Sequence, residues 1–256
     1  MRKLCILLIA ATVASCFNSK KTFEATVSFE KIRVEKKGSG QNAVPFISDS
    51  IYSVSAAYYT PVDAPEYLKD SILRHTRFLF AAWFDVKAQL DLNVAVKKHF
   101  DEYSRQLAEN RLPGQPFFVL DVSPEEIYQN EHIVSFAYNW MIYEGGSHPS
   151  HGKFCFVLDK NTGRKVSYSS LIEGHETEFL SIAEAEFKAQ SGIKENEKIY
   201  DIYRFNDNKF HLTDNYAFTP SGLVFCYNPY DIAPYSFGLI ELTLPYGKIK
   251  SLIKFP

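Results

Sequence analysis

A run of twelve residues from His132 to Tyr143 constrains the fold of this chain more than any other feature. Its apolar side chains recur at every second position, at Val134, Phe136, Tyr138, Trp140 and Ile142. Successive side chains of a β-strand point to opposite faces of a sheet, so this alternation predicts a long strand. We therefore expect a protein built around a β-sheet.

Three other segments have the spacing of amphipathic helices instead. The first is Glu66–Phe84, the second lies between Asp91 and Pro113, and the third is Glu176–Gln190. In each of them, apolar side chains recur every three or four residues, which places them on one face of a helix. These three helices are expected to cover the sheet.

Further strands precede and follow these helices. Runs typical of β-strands are Phe23–Val34, Ser50–Tyr59, Phe117–Val122, Lys153–Leu158, Arg164–Tyr168 and Gly238–Leu244. Between Leu158 and Arg164, Asn161 and Gly163 favour the tight reversal of a hairpin. This order predicts an α+β fold with largely antiparallel sheets, two helices in the N-terminal half and one main helix in the C-terminal half.

The composition argues against two classes of protein. At 46% hydrophobic residues, the chain has the apolar content to form a core, unlike a disordered segment. Its formal net charge of −2 argues against a nucleic-acid-binding protein that relies on a basic patch. No nucleic acid is therefore expected as a partner.

The N-terminus has the parts of an export signal. Arg2 and Lys3 are basic, and Leu4–Ala11 is apolar but shorter than the roughly 20 residues that span a bilayer as a helix. The segment Val13–Cys16 then places small residues before a cysteine. This resembles the lipobox of bacterial lipoproteins. An ordinary secretory signal with an incidental cysteine is the alternative.

The resemblance to a lipoprotein signal implies an anchored protein. Residues 1–15 would be removed as a signal peptide, Cys16 would carry the acyl chains, and residues 16–22 would form a polar tether. The mature chain then has 26 basic and 30 acidic residues, a charge of −4. Its expected location is the bacterial cell envelope, attached by lipid on the periplasmic or the surface face.

Two cysteines remain after the signal and the lipid site are set aside. Cys155 and Cys226 each lie in a strand-like run flanked by aromatic residues. In an oxidising compartment they could form a disulfide if their strands are neighbours. The alternative is a pair of buried free thiols that pack as small hydrophobic side chains.

The segment Tyr143–Pro149 is the most unusual loop of the sequence. Gly145 and Gly146 permit backbone conformations that other residues avoid, and His148 and His151 stand three residues apart. A zinc site needs three or four ligands, and no cysteine or acidic cluster lies nearby in the sequence. We expect His148 to bond within its own loop, and we predict neither a metal nor a cofactor.

Sequence signatures of hydrolases and nucleotide-binding proteins are not found. The sequence has no G-x-S-x-G elbow, no H-E-x-x-H run and no phosphate-binding glycine loop. We therefore predict no catalytic residue. An active site assembled from residues distant in the sequence remains an alternative, because linear motifs do not reveal it.

Tyrosines and prolines concentrate near the C-terminus. Tyr227, Tyr230 and Tyr235 are interleaved with Pro229 and Pro234. Tyrosine combines a large rigid ring with a polar tip and is typical of recognition surfaces. These residues, with Gly145, Gly146, His148 and Pro149, are our candidate binding residues; the alternative is that the tyrosines pack inside the fold.

Three segments together are similar to a two-part envelope module. They are Tyr143–Pro149, DKNTGRKVSYSSLI, and Gly222–Gly238, which contains the two Pro-Tyr pairs. The chain resembles a deacetylase-associated domain of unknown function followed by the C-terminal domain of a lysozyme-sensing anti-sigma factor. The resemblance implies domains at residues 23–150 and 151–256, packed as one unit.

The same resemblance implies binding rather than catalysis. The extracellular region of that anti-sigma factor binds lysozyme. We therefore expect a lipid-anchored module that recognises a cell-wall glycan fragment or a basic wall-degrading enzyme such as lysozyme. The alternatives are an envelope hydrolase or deacetylase, and a structural subunit of an envelope complex.

Overall fold

The computed structural model describes residues 26–39, 51–86, 90–109, 117–194 and 197–255. The predicted signal peptide, the lipid site at Cys16 and the tether lie outside the described residues. Within the described part of the chain, no helix is both long enough and apolar enough to cross a membrane.

Strands and helices alternate in blocks along the described chain. The strands are β1 (Phe29–Ser39), β2 (Ile51–Pro61), β3 (Phe117–Pro124), β4 (Tyr128–Gln129), β5 (Ile133–Tyr143), β6 (Ser150–Asp159), β7 (Tyr216–Phe218), β8 (Gly222–Tyr227) and β9 (Ile240–Pro245). The α-helices are α1 (Glu66–Phe80), α2 (Leu92–Ala108), α3 (Tyr168–Leu171), α4 (Glu176–Gln190), α5 (Ile199–Ile202) and α6 (Tyr246–Ile249).

The strands form two sheets. The larger has six strands in the order β1-β2-β3-β5-β4, with β6 also paired to β5, and the smaller has the order β7-β8-β9. Only the pair β2–β3 is parallel among the described strand pairs. This architecture confirms the predicted α+β fold with largely antiparallel sheets. Since β6 begins at Ser150, the β5–β6 pairing joins the chain on either side of the predicted boundary after residue 150, which stays a prediction.

Both faces of β5 are buried, each against a different part of the chain. Val134, Phe136 and Tyr138 share one hydrophobic core with residues of α1 and α2. Ala137 points the other way and packs with Ala217 of β7 and Cys226 of β8. The large sheet therefore lies between the N-terminal helices and the small sheet, and β5 is its central element.

The two N-terminal helices follow the predicted spacing, with local signals at their ends. Helix α2 begins after Asp91, whose carboxylate accepts a hydrogen bond from the Val94 amide at 3.1 Å. Its core face is Val96, Tyr103 and Leu107. The helix predicted to end at Phe84 ends earlier, at Phe80, because the chain turns there to bring Trp83 against β5.

One predicted strand is wrong. Arg164–Tyr168 was expected to complete a hairpin, but only Lys165 makes a bridge to Leu158 of β6. The chain turns away because the Ser167 hydroxyl accepts a hydrogen bond from the Ser170 amide at 3.3 Å and so begins the short helix α3. The expected turn is present, held by Asp159, whose carboxylate accepts from the Thr162 amide at 2.7 Å.

Two glutamines act as substitutes for strand neighbours. The side-chain amide of Gln190 in α4 donates to the Thr243 carbonyl at 2.7 Å, and its oxygen accepts from the Thr243 amide at 3.0 Å. Thr243 lies on β9, an edge strand of the small sheet. Gln129 pairs in the same way with the Val27 backbone, at 2.9 Å for both bonds. A primary amide has the donor and acceptor of a peptide group, so it satisfies both backbone groups at once.

Candidate functional site

A cleft of about 590 Å³ lies beside β6, between the end of α1 and the loops of the small sheet. Strand β6 pairs with β5 along one side, and its other side borders this cleft at residues 150–155. The cleft has one aromatic wall and one polar wall.

The aromatic wall comes from α1, the turn after it, β5 and β6. The rings of Phe78 and Phe154 lie 6.0 Å apart between centroids, and those of Trp83 and Trp140 lie 5.7 Å apart. Phe78 is 72% exposed although it lies on this wall. An exposed phenylalanine beside two tryptophans is available to a ligand that enters the cleft.

Trp140 has room on the sheet because glycine lies opposite it. Gly152 pairs with Trp140 across β5 and β6. A Cβ atom at Gly152 would lie 2.7 Å from the Trp140 ring and 2.5 Å from Asn228 Oδ1. Because Gly152 has no side chain, Trp140 of the aromatic wall and Asn228 of the polar wall can both lie close to it.

The polar wall is fixed by hydrogen bonds at its base. Asn228 Oδ1 accepts from the Lys153 amide at 2.7 Å, and the Asn228 amide donates to Asp231 at 2.8 Å. Asp214 accepts from the Tyr168 amide at 3.0 Å. These groups line the cleft and hold carboxamide and carboxylate oxygens opposite the rings.

Asn215 joins the small sheet to the side of β6 that β5 leaves open. Its Oδ1 accepts from the Cys155 amide at 2.7 Å, and its Nδ2 donates to the carbonyls of Lys153 at 2.9 Å and Cys226 at 3.0 Å. Unpaired strand edges invite unwanted pairing and are normally covered. Here, the side chains of Asn215 and Asn228 cover this edge at the floor of the cleft.

Lys153 is held between two carboxylates. Its Nζ lies 2.6 Å from a carboxylate oxygen of Glu125 and 2.6 Å from one of Glu241. Burial on its own would lower the pKa of the Lys153 ammonium, but the hydrogen bonds to Glu125 and Glu241 outweigh it and raise the pKa. Because its pKa is raised, Lys153 stays protonated near neutral pH. A group that transfers protons needs a pKa near the working pH, so Lys153 has a structural role.

The loop Tyr143–Pro149 contacts Tyr235 of the tyrosine-rich C-terminal run. The His148 ring stacks on Tyr235 with centroids 3.8 Å apart, and the Tyr235 hydroxyl donates to the Pro149 carbonyl at 2.6 Å. Gly145 and Gly146 have φ angles of 87° and 105°, where other residues are strained. Two loops distant in sequence therefore form one surface next to the cleft.

The candidate tyrosines divide between this surface and the core. Tyr230 is 68% exposed, and its ring centroid lies 5.9 Å from that of Tyr235. Tyr227 is buried, and its hydroxyl donates to the His211 carbonyl at 2.8 Å. Tyr227 ends β8 and packs inward, while Tyr230 lies in the following turn. Tyr227 is therefore placed as a core residue and does not reach a ligand.

The two histidines of the loop contact tyrosine and backbone. His148 Nδ1 lies 3.1 Å from the Pro149 carbonyl, and His151 Nδ1 lies 3.4 Å from the Tyr235 hydroxyl. In the described ranges, no group of three or more His, Cys, Asp or Glu side chains could hold a metal ion. The expected bond of His148 within its own loop is present.

Cys155 and Cys226 are neighbours in space. Cys155 Sγ and Cys226 Sγ lie 3.8 Å apart, and both are buried free thiols. Hydrogen bonding to Cys155 and burial raise the pKa of the Cys226 thiol. Their strands belong to different sheets, so the two thiols meet across the interface between the sheets.

No linear motif marks the cleft residues Phe78, Trp83, Phe154 and Asn215. The signal available in the sequence is the rarity of tryptophan, since the chain has two tryptophans, Trp83 and Trp140. Large aromatic residues that are this rare in a sequence merit attention as binding residues.

One protein family matches part of the C-terminal half of the chain. Residues 171–247 match a family described as a protein of unknown function, DUF3298. The chain contains a DUF3298 domain. This domain contributes Asn215, Asn228 and Asp231 to the polar wall and Tyr230 and Tyr235 to the tyrosine surface. The aromatic wall comes from residues that precede the DUF3298 domain.

Two solved structures share the fold over nearly the whole chain. A member of the DUF3298 family from Bacteroides fragilis has a TM-score of 0.67 at 18% identity, covering 90% of this chain and 95% of that chain. A DUF3298 family protein from Pseudomonas aeruginosa has a TM-score of 0.61 at 18% identity, covering 91% of this chain and 97% of that chain. No curated protein matches the sequence.

Proposed function

We propose that this protein is a lipid-anchored binding module of the bacterial cell envelope that holds a cell-wall glycan fragment in the cleft beside β6. The observation that carries the proposal is the pairing of an aromatic wall with a polar wall. Pyranose rings have apolar C–H faces and polar hydroxyl edges. A cleft with rings on one side and fixed oxygen acceptors on the other matches both.

The size of the cleft suits a short oligosaccharide. Its volume of about 590 Å³ lies within the roughly 300–1,000 Å³ of ordinary small-molecule sites. The polar groups are already ordered by their own bonds, such as that of Asn228 to the Lys153 amide. Preorganised groups lose little conformational entropy when a ligand binds.

The anchor completes the proposal. Acyl chains on Cys16 would hold the protein at the membrane, each buried methylene contributing about 0.8 kcal/mol. The tether of residues 16–22 would then place the cleft within reach of the cell wall. Labelling of the expressed protein with a radioactive or clickable fatty acid checks this step, and replacement of Cys16 should abolish the label.

Titration with soluble muropeptides tests the proposed ligand. Both tryptophans of the chain line the cleft, so intrinsic fluorescence reports binding directly. We expect a saturable change with muropeptides. The variant Phe78→Ala is expected to weaken binding about fivefold, since one exposed aromatic contact contributes about 1 kcal/mol.

The matched control is Phe237→Ala. Phe237 is 46% exposed and lies outside the cleft, so this variant should bind like the wild type. Both phenylalanines are exposed, and both substitutions should preserve the fold. An unchanged affinity in Phe78→Ala, or no fluorescence response to any muropeptide, would reject the cleft as the glycan site.

A protein partner is a second candidate, supported by the conformation of Tyr230. Its φ angle is 75°, which lies in a region of backbone conformation that residues other than glycine, and bulky ones above all, rarely occupy. Strained residues concentrate at functional sites, and this one presents an exposed ring. The candidate partner is a basic wall-degrading enzyme such as lysozyme.

Binding of lysozyme to the immobilised full chain tests the second candidate. If Tyr230 is a central contact, Tyr230→Ala should weaken binding about 30-fold, corresponding to roughly 2 kcal/mol. Phe78→Ala serves as the control and should bind lysozyme normally. Equal affinities of Tyr230→Ala and the wild type would remove Tyr230 from the interface.

A further inference from the structure

We propose that Cys155 and Cys226 form an internal oxidation site, in which a disulfide oxidant converts the two thiols into a bond that joins the large sheet to the small sheet. This inference is independent of the proposed ligand. It follows from the position of the two sulfur atoms at the interface between the sheets.

The geometry brings the two sulfurs together without an intervening group. Their separation of 3.8 Å is van der Waals contact, against about 2.05 Å in a disulfide. Ala137 and Ala217 are the other buried members of this cluster, and Val224 and Leu239 pack against it. Rotation of the cysteine side chains must close the remaining gap between the two sulfurs.

The cleft supplies the route to this pair. Cys155 lines the cleft with 2% of its surface exposed, while Cys226 is fully buried and does not line the cleft. An oxidant that enters beside Trp140 or Asn215 meets Cys155 first. Cys226 is then the thiol that closes the bond. Its sulfur lies 3.7 Å from the Glu241 carboxylate, so the thiol donates a hydrogen bond there until the exchange step, in which its proton goes to the departing thiolate.

The reaction is two successive thiol–disulfide exchanges. The Cys155 thiolate attacks one sulfur of the oxidant, breaking its S–S bond and releasing one thiolate that takes up a proton. The Cys226 thiolate then attacks Cys155 Sγ and releases the second half of the oxidant as another thiol. Two electrons and two protons pass from the cysteine pair to the oxidant.

The product would close a covalent loop between sequence positions 71 residues apart. A loop of this size restricts the unfolded chain strongly and leaves the native contacts in place. For a protein of this length, the oxidised form should melt roughly 5–15 °C above the reduced form. The increase should be reversed by a reductant that reaches the cleft.

Peptide mapping of the full chain tests the proposal. The protein is reduced, freed of reductant and exposed to oxidised glutathione, then alkylated and digested without reduction. We expect a linked peptide pair containing Cys155 and Cys226, 2 Da lighter than the sum of the reduced peptides, together with the increase in melting temperature. Mapping separates this bond from any that involves Cys5 or Cys16.

The variant Cys226→Ala is the matched control. Alanine is tolerated beside Ala137 and Ala217, and circular dichroism checks that the variant folds. Its melting temperature should not rise with oxidised glutathione, and Cys155 should carry a glutathione adduct. Full alkylation of both cysteines in the folded wild type after treatment, with no linked peptide, would overturn the proposal.

Discussion

Replacing Asn215 with alanine is expected to lower the free energy of unfolding by about 3 kcal/mol, roughly 1 kcal/mol for each of three backbone groups that lose their partner. These groups are the Cys155 amide and the carbonyls of Lys153 and Cys226. They lie at the contact between the two sheets, where water has limited access. Alanine offers neither a donor nor an acceptor to replace the carboxamide.

Denaturant unfolding of the wild type and the variant measures this loss. Asn206→Ala is the matched control, because Asn206 is exposed in a short 3-10 turn and should cost less than about 0.5 kcal/mol. A loss in Asn215→Ala no larger than that of the control would show that water replaces all three bonds. The proposed role of Asn215 as the joint between the sheets would then fail.

The substitution Gly222→Ala should be similarly destabilising, by about 3 kcal/mol, for a different reason. A Cβ atom at Gly222 would lie 2.1 Å from the Leu244 carbonyl oxygen and 2.9 Å from its carbon. The obstructing atoms belong to the backbone of β9, which is paired with β8. No side-chain rotation relieves the contact, so the two strands must separate locally.

Gly247→Ala gives the control for this prediction. Gly247 lies in α6, and a Cβ atom there would meet nothing within 4 Å. Alanine is favoured over glycine inside a helix, so this variant should be neutral or slightly more stable. Thermal unfolding of both variants separates the two cases. Equal melting temperatures would show that β9 yields to the added methyl group without cost.

The spacing of apolar residues along the sequence predicted the helices and strands that bury one face. The predicted apolar positions of α2 and the set Val134, Phe136 and Tyr138 of β5 are buried, because each set lies on one face of a regular element. The second buried face of β5 was not predictable from this pattern. It is covered by Ala217 and Cys226, some 80 residues further along the chain, and alternation along a strand carries no information about such a partner.

Only the part of the candidate site that has a local sequence motif could be predicted. Loop motifs identified His148, Pro149 and Tyr235, which do come together. Tyr227 and Tyr230 are three residues apart in one tyrosine-rich run, and only the backbone turn between them places one ring inside and the other outside. The aromatic wall depends on where α1 ends relative to β5, a tertiary relation without a local signature.

The bonds of Gln190 to β9 affect how two copies of the protein can interact. By occupying the amide and carbonyl of Thr243, its side chain prevents a strand from another copy from pairing with β9 at that point. Where copies of a protein meet at high local concentration, open strand edges lead to intermolecular sheets. One carboxamide on α4 thus protects the small sheet against aggregation at the position where its last strand would otherwise be open.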